Sequence, residues 1–283
     1  PVISIIHENI APPIIVINPK YASKVLTCWD KINFGKGPYY ENKGNFNTAG
    51  YVNFKTKRRL ENSSIKLEAG QFDAFRLLGM FNLLENNNQN AYVATEFLTN
   101  DGPFESPQNF NRINIFGKYT GIISNTDRIG ITASHFTSKW DASGQIPQRA
   151  VDSGDISRFG SIDDTEGGST SRVNLLINYD KTINEKSSLK SSVFFSQYNF
   201  ELYSNFTFFL EDSMNGDQIR QKENRSIYGF NSEYSTSFST NKLNGDWHAG
   251  ISLRNDKSID NELSHTLNRS ETLKQIQLGN INE

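Results

Sequence analysis

About ten stretches of this chain alternate apolar and polar residues with a period of two, and the connections between them alternate in length. No other feature limits the possible folds as tightly. The stretches are 64–71, 75–84, 91–99, 112–121, 128–137, 172–181, 189–202, 226–238 and 246–254, with another beginning in the closing LKQIQLGNINE. In the first, Ile65, Leu67 and Ala69 share one face and Lys66 and Glu68 the other. In 226–238, Tyr228, Phe230, Tyr234 and Phe238 stand against Asn231, Glu233, Ser235 and Ser237. In 246–254, Trp247, Ala249, Ile251 and Leu253 stand against Asp246, His248, Ser252 and Arg254. A period of two is the signature of a strand with two unlike faces, and no stretch between these carries helical periodicity. The chain is expected to be all-β.

A soluble sandwich strand alternates in the same way, so the connections carry the discrimination. Short ones fall at 85–90, 122–127, 183–187 and 239–245, and long ones at 100–111, 139–171, 203–223 and 257–272. In an antiparallel meander all the short turns then lie at one end and all the long loops at the other. Transmembrane β-barrels have this asymmetry, and a sandwich gives no reason for it. Strands of about ten residues suffice to cross a hydrocarbon layer at a tilt. A barrel in lipid must close, so ten strands are expected to be part of a larger one. The apolar faces, with Tyr228, Phe230, Trp247 and Ile251 among them, then point outwards.

Composition agrees. The mean hydropathy is −0.57, and hydrophobic residues are 36% of 283, which excludes a helical membrane protein. Twenty Phe and 11 Tyr against two Met suit strands half exposed to lipid. A net charge of −2 gives nucleic acid no electrostatic hold. The lone Cys28 forms no internal disulfide, and no His/Cys cluster has zinc spacing. The chain opens PVISIIHENI, without a basic leader, and is expected to be a fragment lacking both ends.

Ahead of the strands lies GKGPYYENKGNFNTAGYVNFKT, residues 35–56. Gly35, Gly37, Gly44 and Gly50 mark places of positive φ or close approach. Pro38 sets a bend, and 49–54 reads as a short strand. This run resembles the end of the plug domain of TonB-dependent outer-membrane receptors, where a KGP turn leads through a Gly-rich loop to a strand just before the barrel. The loop KWDASGQIPQRAVDSGDISRFGSIDDTEGGSTSR, 139–172, and YSNFTFFLEDSMNGDQIRQKENR, 203–225, resemble long loops of a subgroup of the same receptors. Together these segments cover about a third of the chain. Residues 1–34, including the apolar run 14–17, match no plug motif.

The resemblance implies a plug domain ending near residue 62 and a barrel half from 63 to 283, out of about twenty-two strands. It implies active uptake of a scarce nutrient across the bacterial outer membrane, by default a siderophore or other metal chelate. The energy-coupling partner is TonB–ExbB–ExbD, acting through a segment absent here. A small extracellular ligand and outer-membrane lipid complete the partners; no cofactor and no enzymatic activity are implied. A passive porin or adhesin barrel, a SusC-like glycan importer and a soluble all-β carbohydrate-binding domain are the rivals.

Candidate ligand contacts are Tyr39, Tyr40 and Asn45 on the plug surface and Trp140, Gln145, Arg149 and Arg158 in the longest loop. The loop's Arg and Asp residues serve equally to lock it onto itself. Asp163, Asp164 and Glu166 have the oxygens for a hard cation. Trp140, Tyr119, Phe136, Phe206, Phe208 and Phe209 are expected in interfacial girdles, with packing inside loops the alternative for 206–209. No Gly-x-Ser-x-Gly elbow and no phosphate loop is present.

Overall fold

The computed structural model describes residues 28–37, 39 and 49–283. Two sheets account for most of them. The smaller pairs β1 (Trp29–Lys36) with β2 (Gly50–Thr56), antiparallel. Gly50 lies opposite Lys36 at φ 139, where a Cβ would strike the Gly35 carbonyl, and Gly37 leaves β1 at φ 76. Both positions need glycine.

The larger sheet is a ten-stranded antiparallel meander in which every strand pairs with its sequence neighbours. It runs from β3 (Ser64–Ala69), β4 (Phe75–Glu85), β5 (Gln89–Asn100), β6 (Phe110–Ile122) and β7 (Asp127–Ala142) to β8 (Glu166–Asn184) and β9 (Ser187–Ser204). β10 (Ile219–Ser239), β11 (Asn244–Leu267) and β12 (Glu271–Asn282) complete it. β3 and β12 are its two edges, so the sheet is an open segment of wall.

The register assigns every side chain to a face. Leu67, Leu77, Phe97 and Ile113 are successive partners, as are Ile131, Ile177, Val193, Phe230 and Leu253. These rows belong to one outward apolar face, on which Leu67, Tyr228, Trp247 and Ile251 are all more than half exposed. Below this band, towards the short turns, Tyr119, Tyr179, Tyr234 and Trp247 form an aromatic belt, with Tyr234 and Trp247 edge to face at 5.9 Å. An apolar band bounded by aromatics is what a barrel presents to lipid. The opposite, inward face carries Lys66, Glu68, Arg76, Glu96, Asn114, Lys118, Arg172, Asn174 and Arg225.

Three boundaries differ from the sequence reading. Most of 257–272, and both ends of 139–171 and 203–223, are strand, not loop. β7 runs to Ala142 and β8 starts at Glu166, β9 and β10 leave only 205–218, and β11 turns into β12 through 268–270. Asn268 and Arg269 make that last turn at φ 50 and 59, the left-handed pair that suits a tight hairpin. β10 and β11 reach 21 and 24 residues, about twice what crosses a bilayer. Above the apolar band the buried positions are themselves polar, Ser264 and Thr266 among them, so no alternation marks the strand there; the neighbour's hydrogen-bond ladder extends it. The 143–165 connection also contains a short helix, α1 (Gln148–Asp152), where only loop was expected.

Candidate functional site

The site is built on the inward face, in three tiers. At the lowest, the segment entering the barrel is fastened to the wall. Lys118 Nζ donates to Thr56 O and Oγ1 at 3.0 and 2.8 Å, Tyr92 Oη to Lys57 O at 2.9 Å, and Asn82 Nδ2 to Leu60 O at 3.0 Å. The Lys57 amide donates back to Cys28 O. Cys28 and Leu60 pack with Leu78, Met80, Tyr92, Ala94 and Phe116 into a small dry core between segment and wall. Burial pushes the Cys28 thiol up to about 11.

Beside this core lies a buried charge network. The Glu96 side chain is fully enclosed and accepts from Arg76 Nε at 2.6 Å, Asn114 Nδ2 at 2.8 Å and Arg112 Nη2 at 3.0 Å. Arg76 Nη1 also reaches Glu68 at 2.8 Å. Two guanidinium groups on one carboxylate, with the other acid beside them, leave little charge uncompensated.

The upper tier ties the long connections together. Asp163 accepts from Thr165 N and Oγ1, from Asn205 Nδ2 at 2.9 Å and from Gln218 Nε2 at 3.2 Å. Gln218 Oε1 in turn accepts from Arg269 N and Thr266 Oγ1. Arg269 donates to the carbonyls of Thr165 and Glu166, to Asp141 Oδ1 at 2.8 Å, and lies over the Tyr203 ring. Asn109 closes the ring onto Asp141 Oδ2. Burial works against the Asp163 charge, but the surrounding donors overcome it and hold the carboxyl below the usual range.

Of the ligand candidates, Gln145, Arg149 and Arg158 are exposed along 143–165, and Trp140 is half-buried on the inward face opposite Gly168. Tyr39 is 83% exposed beside the β1–β2 hairpin, and no hydrogen bond joins it to the others among the described residues. Tyr40 and Asn45 lie outside the described residues. Asp163 is filled by amide and hydroxyl donors, and Glu166 turns its carboxylate towards Gly144. Among the described residues no group of three His, Cys, Asp or Glu side chains is placed to hold a metal ion.

Two aromatic assignments are corrected. Phe136 pairs with Asn114 and Arg172, and Trp140 shares its parity, so both face inwards and neither belongs to a girdle. Phe206 and Phe209 stand exposed at the tip of 205–218, above the apolar band. Asp217 holds that tip by accepting from the amides of Leu210, Glu211 and Asp212. Sequence reading missed Arg172, Gln218 and Arg269. Arg172 was legible by parity, two positions before Asn174 on a polar strand face; the other two act only through partners remote in sequence.

Solved structures share this fold. The ferric-catecholate import receptor Fiu of E. coli K12 aligns with a TM-score of 0.62 at 11% identity, over 88% of this chain and 42% of that one. The siderophore receptor PiuA of Acinetobacter baumannii gives 0.66 at 12% over 89% and 42%. The pyoverdine outer membrane receptor FpvA of Pseudomonas aeruginosa PAO1 gives 0.67 at 12% over 84% and 36%. The chain therefore spans less than half the length of each of these three. No family model and no curated protein matches. The fold is that of part of the barrel of these outer-membrane receptors, an antiparallel wall with a segment held against its inner side.

Proposed function

We propose that this chain is the plug–barrel junction and first ten barrel strands of a TonB-dependent transporter that takes up a scarce nutrient across the bacterial outer membrane. Residues 1–62 are then the end of the plug domain and 63–283 the first half of the barrel. The observation that carries the reading is the fastening of 56–60 and Cys28 to the inward face of β4–β6, in a sheet whose other face is apolar. A passive porin leaves that inner face to water. The molecule moves its cargo without covalent chemistry: loops and plug surface hold the ligand, and the plug rearranges when pulled. The pulling partner is TonB–ExbB–ExbD, engaged by strand addition to an extended segment of the receptor.

The cargo we infer is a siderophore or other metal chelate, since the similar structures carry ferric catecholates and pyoverdine in their names. A deletion strain tests this in growth and uptake assays on ferric chelates, cobalamin, copper and glycans as limiting sources. Loss of growth on one ferric chelate, restored by the intact gene and not in a strain lacking TonB, is the expected result. Loss on a glycan alone moves the cargo to a SusC-like class. Uptake that persists without TonB overturns active transport.

A further inference from the structure

Among the described residues, Arg172 on the inner wall has no carboxylate within ion-pair distance. Arg172 lies on β8 between Phe136 of β7 and Tyr198 of β9, which are its direct register partners on either side. Tyr198 in turn pairs with Arg225 of β10, so Phe136, Arg172, Tyr198 and Arg225 form one row across four adjacent strands. Their inward parity puts all four side chains on the polar face.

The two arginines of that row are treated differently. Arg225 is satisfied: it grips Asp256 through Nε and Nη2 at 2.7 and 2.6 Å, with Glu223 at 3.8 Å behind it. Arg172 uses only Nε, on Asn174 Oδ1 at 3.0 Å and Ser196 Oγ at 3.1 Å. Asn174 is itself held by Ser134 and Ser196. Those neutral bonds orient the guanidinium plane and neutralise nothing. Among the described residues its two terminal amino groups make no hydrogen bond and no carboxylate lies within ion-pair distance. A half-buried guanidinium fixed in direction, its forked end unused and a ring on each side, has the geometry that recognises a planar carboxylate.

We propose that Arg172, with Phe136 and Tyr198, is a wall subsite for a planar organic anion, an aromatic or conjugated carboxylate in which the rings cover the flat frame and the fork takes the two oxygens. This subsite is on the barrel wall, below the exposed loop residues Gln145, Arg149 and Arg158. It rests on the uptake reading for its role, since it names a chemical class for part of the cargo.

The test uses the complete receptor in detergent and benzoate as the probe, with benzyl alcohol as the uncharged match, read by saturation-transfer NMR. Wild type is expected to bind benzoate and not benzyl alcohol. Arg172→Gln is expected to weaken benzoate by about tenfold or more, the size of one hydrogen bond to a charged group. Arg172→Lys keeps the charge but loses the fork and falls between. Tyr198→Ala weakens binding while leaving the charge in place. Equal benzoate binding by wild type and Arg172→Gln overturns the proposal, as does no binding by wild type. So does a Arg172→Gln receptor that loses thermal stability with no benzoate effect, because the arginine then serves a carboxylate of the protein itself. These outcomes are independent of the growth assays: uptake that continues with unchanged benzoate binding in Arg172→Gln removes the subsite alone, and absence of TonB-dependent uptake removes the transport reading alone.

Discussion

Arg269 reaches back across 128 residues to donate to Asp141 at 2.8 Å, joining the β11–β12 turn to the upper end of β7. Through the same side chain it takes the carbonyls of Thr165 and Glu166, so one guanidinium closes the gap between the first and last of the long strands. The left-handed backbone at Asn268 and Arg269 aims it there. Arg269→Gln is expected to release 143–165 without unfolding the wall. Hydrogen exchange across that segment should speed up by an amount equivalent to about 1–3 kcal/mol, with β4–β6 unchanged.

Acid should loosen the same end. Asp163 and Asp217 are both pulled below the ordinary carboxylate range by donors that outweigh their burial. A depressed pKa stabilises the fold fully above the unfolded value, about pH 4, and the contribution is lost as pH falls through the folded value. Exchange in 205–218, corrected for intrinsic rates, should rise below about pH 4, and 143–165 should follow as Asp163 is protonated. Asp163→Asn should leave 143–165 loose at every pH.

The fastening of the entering segment can be read at its thiol. Cys28 is 1% exposed, and burial raises it to about 11. It should resist iodoacetamide at pH 8 in the folded protein. Leu60→Ala opens the core around it, at about 2–5 kcal/mol locally, and should raise the alkylation rate by about tenfold or more. Tyr92→Phe, which loses only the bond to Lys57 O, should give a smaller rise.

Glu96→Gln should be far more damaging than its conservative look suggests. It removes the carboxylate that Arg76 and Arg112 share inside the wall, and stranding buried charge costs about 3–5 kcal/mol. The heat-modifiable gel shift of the folded barrel should move to a lower temperature. Replacing Glu96 and Arg112 together by Leu should recover part of the loss.

The two faces of β11 should answer oppositely to one charge. Ile251 is 58% exposed on the apolar face, and Ser252 beside it donates to Asn231 on the inward face. Ile251→Arg should cost about 2–4 kcal/mol in lipid, while Ser252→Arg should insert and fold nearly as wild type. Assembly into vesicles, scored by protease protection, separates them.

The alternation in 226–238 and 246–254 was enough to place Tyr228 and Trp247 on the apolar face and Asn231 and Arg254 opposite. Parity is a local property of an extended backbone, and here the two faces meet unlike surroundings. The same rule would have turned Phe136 and Trp140 inwards had it been followed along β7, where aromatic character alone suggested a girdle. Gly50 too was legible, because a single backbone collision requires it.

Above the band that rule has nothing to act on. The buried positions of 257–267, Ser258, Ser264 and Thr266, are themselves polar, so a strand and a polar loop have the same composition, and only the ladder from β10 makes it strand. The acids of 139–172 were counted correctly, yet which of them is filled depends on Asn205, Gln218 and Arg269 arriving from other hairpins. Arg172 was visible as a polar residue on a polar face; that no acid among the described residues pairs with it is a fact about four strands at once. The sequence by itself thus determined an antiparallel wall with one apolar and one polar side, because that follows from a period of two. The tertiary structure alone decided which charges are spent on each other, because ion pairs form between chains of residues that only the register brings within reach.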